Sequence, residues 1–476
     1  MRKKYFFALV LLLVISNLRA QQYALFNTRT MFDAFENPAA KSFTLDSSAK
    51  FASNFFFPNF GINAAHKGSA DDVIRKLANT GIYDTGNIPL GAGTRNKLFQ
   101  NSNVYLATFR IFSSYKYNQE IGFAWQVRTD AYADYTNETL AILDSYKKFN
   151  AGPYNDVFNS NAYEQSYHQF SFSVRENWDK RLAFGLKLSL LSGIAYNKID
   201  INNSYFYVDQ VNDRLDVGVN GTYKGTFIYE DELEKKMLLP TFKNPGLSVS
   251  LGTTYASRSG FFIMGNIKDL GFIRWNKKSH VAKFNEIKSI NNISTANNSE
   301  VTDDIISIAQ DADEQKRFVT PTNAKADFLI SRTFNFYKPS LVISKNLFHQ
   351  GGDIALVNTF KTGNVSASLT PAYNFNKFIM IGVQGMYQTP NFEFFLGTDN
   401  LGKSISLGRG ISQNDALVGT GYLGGSVYMG LGIKIGRTVN HPMNLSTMPG
   451  VNGERVYKGF FRSIYEFFVK PKSNLM

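Results

Sequence analysis

The run RLAFGLKLSLL (181–191) alternates without a break. Leu182, Phe184, Leu186, Leu188 and Leu190 fall on one face, and Ala183, Gly185, Lys187 and Ser189 on the other. A period of two marks a strand whose faces meet different surroundings. The stretch EIGFAWQVRTD (120–130) repeats the pattern, as does GYLGGSVYMGLGIKI (421–435). Strands of soluble sheets usually run about five or six residues, whereas these last about ten, the length a tilted strand needs to cross a bilayer. A sheet in lipid must close on itself so that no edge is left unpaired. The expected fold is therefore all-β, a transmembrane antiparallel β-barrel.

Composition agrees with strands rather than helices. Aromatic residues make up 15% of the 476 residues, led by Phe 42 and Tyr 25, yet the mean hydropathy is only -0.21. Beyond the leader, no segment approaches the roughly 18 uninterrupted apolar residues of a spanning helix. Residues 1–20 carry Arg2, Lys3 and Lys4, an apolar stretch from Tyr5 to Ile15, and Ala20 at the expected cut, so they read as a secretory signal peptide. The mature chain is expected in the cell outer membrane.

Candidate strands lie near 49–57, 103–117, 121–133, 163–177, 181–197, 246–256 and 260–275. They continue near 323–334, 339–347, 353–360, 363–374, 377–388, 391–401 and 415–435. That makes about 14, an even number, as a single-chain bacterial barrel has. In GFFIMGNIKDLGFIRW (260–275), Phe261, Ile263 and Ile267 are expected toward lipid, Asn266 and Lys268 toward the lumen, and Trp275 at the interface. Short connections such as NWDK, SRSG and TPN alternate with long ones at 58–102, 134–162, 198–245, 276–322 and 402–414. The short turns belong in the periplasm and the long loops outside. SADDVIRKLANT and SEVTDDIISIAQDADEQ give those loops helical patterns.

Charge offers the first hint of a partner. Lys+Arg 51 against Asp+Glu 38 gives +13, and loss of Arg2, Lys3, Lys4 and Arg19 with the leader leaves +9. An exported protein of this sign meets anionic lipid headgroups or an anionic ligand rather than nucleic acid. Period-two reading places Arg110, Arg128, Arg175, Lys187 and Lys434 on inner faces, with Asp130 as the one carboxylate on those runs. Two readings stay open for these five residues. They bind an anionic amphiphile such as a carboxylate-headed fatty acid, or they pair with carboxylates of an inserted segment such as Asp33 or Glu36.

Enzyme chemistry is not expected. Cys is absent, and His66, His168, His280, His349 and His441 stand apart with no metal-ligand spacing, so no cofactor or metal is anticipated. GTGYLG (419–424) matches a dinucleotide fingerprint, but the residues after it keep a period of two instead of opening a helix. Asp269 and Asp399, each followed by Leu and Gly after a strand, read as local turn residues. After Gly436, Val456, Phe460 and Ile464 recur at helical spacing beside Arg455, Lys458, Arg462 and Lys470. That tail helix lies on the inner leaflet, docks to a partner, or packs beneath the barrel.

FENPAAKS after the leader, NPGLSVSLGTTY followed by IKDLGFIRW, TPTNAKADF and TDNLG together carry a resemblance. The chain resembles an outer-membrane barrel family of the Bacteroidota, a domain-of-unknown-function group that is in turn similar to FadL-type hydrophobic-compound transporters. That resemblance implies fourteen strands, a short N-terminal hatch over residues 21–47 carrying Asn37, Pro38 and Ala39, a barrel over 48–436 and a periplasmic tail over 437–476. It implies passage or binding of a hydrophobic or amphipathic small molecule. The alternative from the same lineage is a structural or type IX secretion and gliding accessory that binds protein partners.

Overall fold

In the computed structural model the described residues are 23–114, 118–228, 239–439 and 459–469. The expected signal peptide and its cut near Ala20 lie outside the described residues. The chain runs β1 (Ala49–Ser53), β2 (Asn59–Lys67), β3 (Arg95–Ser114), β4 (Gln119–Thr136), β5 (Gly152–Asn155), β6 (Ser160–Asn177) and β7 (Leu182–Asp209). It continues through β8 (Arg214–Gly225), β9 (Pro245–Ala256), β10 (Phe261–Trp275), β11 (His280–Asn291), β12 (Asp313–Gln315), β13 (Phe318–Pro321) and β14 (Lys325–Arg332). Last come β15 (Tyr337–Asn346), β16 (Gly352–Thr362), β17 (Val365–Asn374), β18 (Phe378–Gln388), β19 (Phe392–Thr398) and β20 (Leu423–Thr438).

Antiparallel pairing closes these strands into a barrel of fourteen staves. β1 and β2 together form the first stave. Then come β3, β4, β6, β7, β9, β10 and β14 through β20, and β20 pairs back with β1 and β2. Closure leaves no stave at an edge, so backbone groups need no partner from lipid.

The two faces of the wall are sorted in the opposite sense to a soluble protein. Phe109, Phe123, Phe172, Leu188, Leu251, Ile267, Phe328, Leu356, Leu369, Ile381 and Leu396 are exposed around the outside. Arg110, Arg128, Arg175, Lys187, Asp269, Lys325 and Glu393 are buried inside. An apolar belt this extensive is stable only against lipid. Among the described residues, no helix is long and apolar enough to cross a membrane.

β10 follows the expected facing through Lys268 and then changes phase. Its pairing with β9 slips between Ile267 and Leu270, and Asp269 has a φ of 53°. This β-bulge sends two successive side chains, Lys268 and Asp269, into the lumen and moves the outward row to Leu270 and Phe272. The same shift corrects the expectation for Trp275. It is fully buried, packed on Tyr196 and Phe318, and donates its indole N–H to Thr320 Oγ1 at 2.9 Å.

Four of the five expected long loops also contain strands, residues 134–162 holding β5 and residues 276–322 holding β11, β12 and β13. Residues 58–102 hold β2 and the start of β3, and residues 198–245 hold the end of β7 and all of β8. In β2 Phe60 and Ile62 alternate with Asn59, Gly61 and Asn63, but the contrast ends there, with Ala64, Ala65 and His66 all buried. The outer part of β7, with β8, β11, β12 and β5, forms a sheet above the wall at the long-loop end. Helices α1 (Met31–Glu36), α2 (Asp71–Thr80), α3 (Asn137–Asp144), α4 (Asn298–Asp311), α5 (Leu401–Gln413) and α6 (Phe460–Val469) complete the chain. α2, α3 and α4 share one apolar core with that sheet through Ile74, Leu140, Val301, Phe206, Leu215 and Phe284, giving the barrel a cap. Gly419 and Gly421, both with positive φ, turn the chain into β20 and open no helix.

Candidate functional site

The segment from Tyr23 to Ser48 sits inside the barrel, where Leu25, Met31, Phe32, Phe35 and Phe43 pack on Ala52, Tyr105, Phe112, Phe395 and Tyr428 of the wall. Its centre is α1. Thr30 caps the helix by accepting from Asp33 N at 3.1 Å, and Asn37 closes it by donating its backbone N–H to Asp33 O. Asn37 Oδ1 then accepts from Ala39 N at 3.0 Å, an Asx turn that shapes the Asn37–Pro38–Ala39 corner.

That corner lies directly on the wall. A Cβ on Gly185 would come within 2.1 Å of Pro38 C, and one on Gly252 within 2.2 Å of Asn37 Oδ1. Gly185 and Gly252 face each other across β7 and β9. Only a bare backbone at these two places lets the hatch come so close.

Four of the five inner cations predicted from the sequence donate to hatch carbonyls. Arg110 reaches Ala34 O at 3.1 Å and Ala40 O at 3.4 Å, Arg175 reaches Ala39 O at 3.1 Å, Lys187 reaches Phe35 O at 3.2 Å, and Lys434 reaches Ser42 O. Arg110 also pairs with Glu120 at 3.0 Å, and Glu120 accepts from Ser42 N. The fifth, Arg128, pairs with Asp269, which Lys187 also meets at 3.0 Å. Neither acid is legible as a partner from alternation alone. Glu120 sits at the strand start, where alternation is hardest to phase, and Asp269 is turned inward by the bulge.

The hatch acid that does pair with the wall is Glu36. Its Oε2 meets Lys268 at 2.5 Å, and its Oε1 accepts from Asn103 Nδ2 at 2.5 Å and Tyr105 Oη at 2.6 Å. Burial alone would raise this carboxyl, but Lys268, Arg128 and Lys187 hold it well below the ordinary carboxylate range, so it stays charged. Burial dominates at Asp33 and pushes it up to about 7, against the backbone donors of Arg29, Asn27 and Thr28 and the charge of Lys338.

Beside Glu36 lies a small cavity of about 30 Å³, room for a few waters while the hatch is seated. Leu25, Phe26 and Phe32 supply apolar surface, while Arg128, Lys268 and Lys325 supply three cations. Glu36 pairs with Lys268, Asp269 with Arg128, and Asp130 lies 3.8 Å from Lys325, whereas Asp33, pushed up to about 7, is only partly charged at neutral pH. The site is amphipathic, with its charges already compensated.

The hydrogen-bond ladder is thin next to this cavity, although the two strands there stay side by side. β2 pairs residue by residue with β20 from Phe60 to His66, but meets β3 only at Asn59↔Tyr105 and Lys67↔Lys97. Asn101 and Asn103, which line the cavity, lie on the stretch of β3 between those two contacts. Polar atoms without a protein partner gather there: both side-chain atoms of Asn59, Asn63 Oδ1, Gln100 Oε1, Ser102 Oγ and Asn103 Oδ1. Each such group costs about 1–3 kcal/mol when buried unsatisfied, so the stretch favours polar company. Just below it, β1 and β2 are separated by residues 54–58. There Phe55 and Phe56 take left-handed φ of 47° and 60°, and Phe56 is 75% exposed. Such backbone is uncommon for bulky residues and marks a special site.

The profile described as "Family of unknown function (DUF5723)" matches residues 43–399. No curated protein matches the chain. Several solved barrels are similar in course. A TodX monoaromatic hydrocarbon channel deltaS2S3 mutant has 8% identity and a TM-score of 0.42, with 84% of this chain and 94% of that chain covered. A Pseudomonas aeruginosa FadL homologue has 8% identity and a TM-score of 0.40, with 87% and 95% covered. The Pseudomonas putida toluene transporter TodX has 7% identity and a TM-score of 0.31, with 88% and 94% covered.

Proposed function

This chain belongs to the family of unknown function DUF5723, and we propose that it is a non-enzymatic outer-membrane barrel, exported by a signal peptide cut near Ala20, that binds and passes an amphipathic small molecule with an anionic head. The observation that carries this reading is the meeting of a small amphipathic cavity with the weakly laddered β2–β3 seam of the lipid-facing wall, at Asn101 and Asn103 of β3. An apolar tail arriving from the bilayer at this seam must part β2 from β3 and shift the hatch, and then meets Leu25, Phe26 and Phe32. Its headgroup finds Arg128, Lys268 and Lys325.

Because the charges there are already balanced, a carboxylate head takes Lys268, Asn103 and Tyr105 by displacing Glu36. Two carboxylates cannot share one desolvated site at low cost. Arg110, Arg175, Lys187 and Lys434 act in this reading by holding the hatch that presents Glu36. The orientation follows the usual rule for such barrels, with short turns in the periplasm and the cap outside.

The test is binding of long-chain carboxylates to detergent-extracted protein, with native mass spectrometry of what copurifies. Glu36→Gln, which keeps the hydrogen bonds to Asn103 and Tyr105 and frees Lys268, is expected to tighten carboxylate binding, and Lys268→Met to weaken it. Unchanged affinity in both variants would sink the site. A stoichiometric protein in place of a small molecule would favour the accessory-barrel alternative.

A further inference from the structure

We infer that α6 is an interfacial helix that lies in the periplasmic leaflet and binds a membrane surface of anionic phospholipid headgroups. The helix packs on the outside of the wall, and its first contact shows the depth. Phe461 meets Phe184 with ring centroids 6.2 Å apart, and Phe184 begins the outward row that continues through Leu186, Leu188 and Leu190. Tyr465 stands edge-on to Trp178 at 5.5 Å, and the Arg462 guanidinium lies over the same indole at 6.0 Å. Phe460 N–H donates to Glu176 Oε2 at 2.6 Å and ties the helix start to the end of β6. α6 therefore sits at the short-turn rim, level with the end of the apolar belt.

Helical geometry shows what remains uncovered. At about 100° per residue, Phe460, Ile464, Phe461 and Tyr465 fall on one half of the helix. Arg462, Ser463 and Glu466 fall on the other. Phe461 and Tyr465 touch Phe184 and Trp178, though Tyr465 itself stays 49% exposed. The neighbouring row is left open, with Phe460 39% and Ile464 40% exposed. That row is continuous with the lipid-facing surface of β7, so hydrocarbon is the surface it meets.

The charge of the rim selects the headgroup. Lys180 and Arg181 in one turn and Arg258 in the next are exposed beside Arg462, against Asp179. The two turns are neighbours, because Ala256 N donates to Arg181 O at 3.0 Å. On the helix itself Glu466 offsets Arg462, so the basic excess lies in the rim, and an amphipathic helix with aromatic anchors beside a basic rim is the arrangement that holds to an anionic interface.

Because the chain has no Cys, a nitroxide label at a single introduced cysteine tests the inference in the full-length protein. Ile464→Cys, Phe460→Cys and Ser463→Cys are each reconstituted into vesicles of phosphatidylglycerol and phosphatidylcholine. Collisions with oxygen, which concentrates in lipid, are compared with those of a water-soluble nickel chelate. The expected result is an oxygen-favoured ratio at 460 and 464, a nickel-favoured ratio at 463, and a shift of 463 toward water in vesicles of phosphatidylcholine alone. Nickel-favoured ratios at all three positions would place the helix in water. Low collision with both reagents at 460 and 464 would mean protein covers the row. Either outcome overturns the inference, as does an equal ratio at 463 in the two lipid mixtures.

Discussion

Lys187 and Asp269 form an ion pair of 3.0 Å inside the barrel, although strict alternation along β10 would have sent Asp269 to lipid. The bulge after Lys268 makes that pair possible, and Asp269 also meets Arg128, Gln169 Nε2 and Ser250 Oγ. One carboxylate thus compensates two buried cations.

Asp269→Asn is expected to cost about 3–5 kcal/mol, the range for leaving a buried charge uncompensated. The measurement is the temperature at which the barrel loses its heat-modifiable migration in detergent. Asp269→Asn combined with Lys187→Met should recover part of that loss, because one fewer cation is left unpaired. An additive loss in the double variant would assign Asp269 no pairing role.

The wall makes a sharper prediction. Leu188 is 53% exposed and its neighbour Ser189 is buried, so Leu188→Arg places a charge in lipid at a cost of about 2–4 kcal/mol near the midplane. Ser189→Thr, on the inner face, should leave assembly unchanged. Equal assembly yields for Leu188→Arg and the unmutated protein would contradict a lipid-facing β7.

The wall was legible in the sequence wherever large apolar side chains alternate with small or polar ones, as from Leu182 to Leu190. Pattern reading failed where the contrast vanishes or the phase slips. β2 alternates only from Asn59 to Asn63, too short a run to read as a spanning strand, and Asp269 and Trp275 stand at and after a bulge that only pairing reveals. Inner cations were found because they stand on well-phased runs. Glu36, an expected partner for them, pairs with Lys268 instead, and the hatch carbonyls that do meet four of them carry no sequence signal. The seat of the hatch on Gly185 and Gly252 depends on a missing Cβ, which leaves no periodic trace.

The cap carries a pH dependence of its own. Asp144 accepts from Thr85 N and Thr85 Oγ1, each at 2.9 Å, and from Lys148 Nζ at 2.6 Å. Burial raises its carboxyl, but the Lys148 and Thr85 hydrogen bonds and the Lys148 charge outweigh that and hold it below the ordinary value. A carboxyl lowered in the folded state contributes stability above its unfolded value, about 3.9, and that contribution is lost as acid protonates it. Asp144→Asn should therefore speed amide exchange at Thr85 at neutral pH. The difference from the unmutated protein should disappear in acid below the ordinary carboxylate range. A difference that persists in acid would mean that geometry, not charge, holds the loop.

Gly185 offers a way to move the hatch without touching a charge. Its missing Cβ leaves room for the Pro38–Ala39 backbone, while its strand neighbours Phe184 and Leu186 face the other way and pair normally with β9. Gly185→Leu should leave β7 in the wall and displace the Asn37–Pro38–Ala39 corner, because the rigid backbone there cannot yield about 1 Å by a rotamer change. Since Glu36 ends the helix that this corner follows, its contact with Lys268 should weaken together with the seat. The expected outcome is faster proteolysis of residues 23–48 from the short-turn side in reconstituted vesicles, with heat-modifiable migration retained. Ion conductance across planar bilayers should rise in the same variant. If proteolysis accelerates and conductance stays at background, the hatch is a ligand platform and some other element seals the lumen.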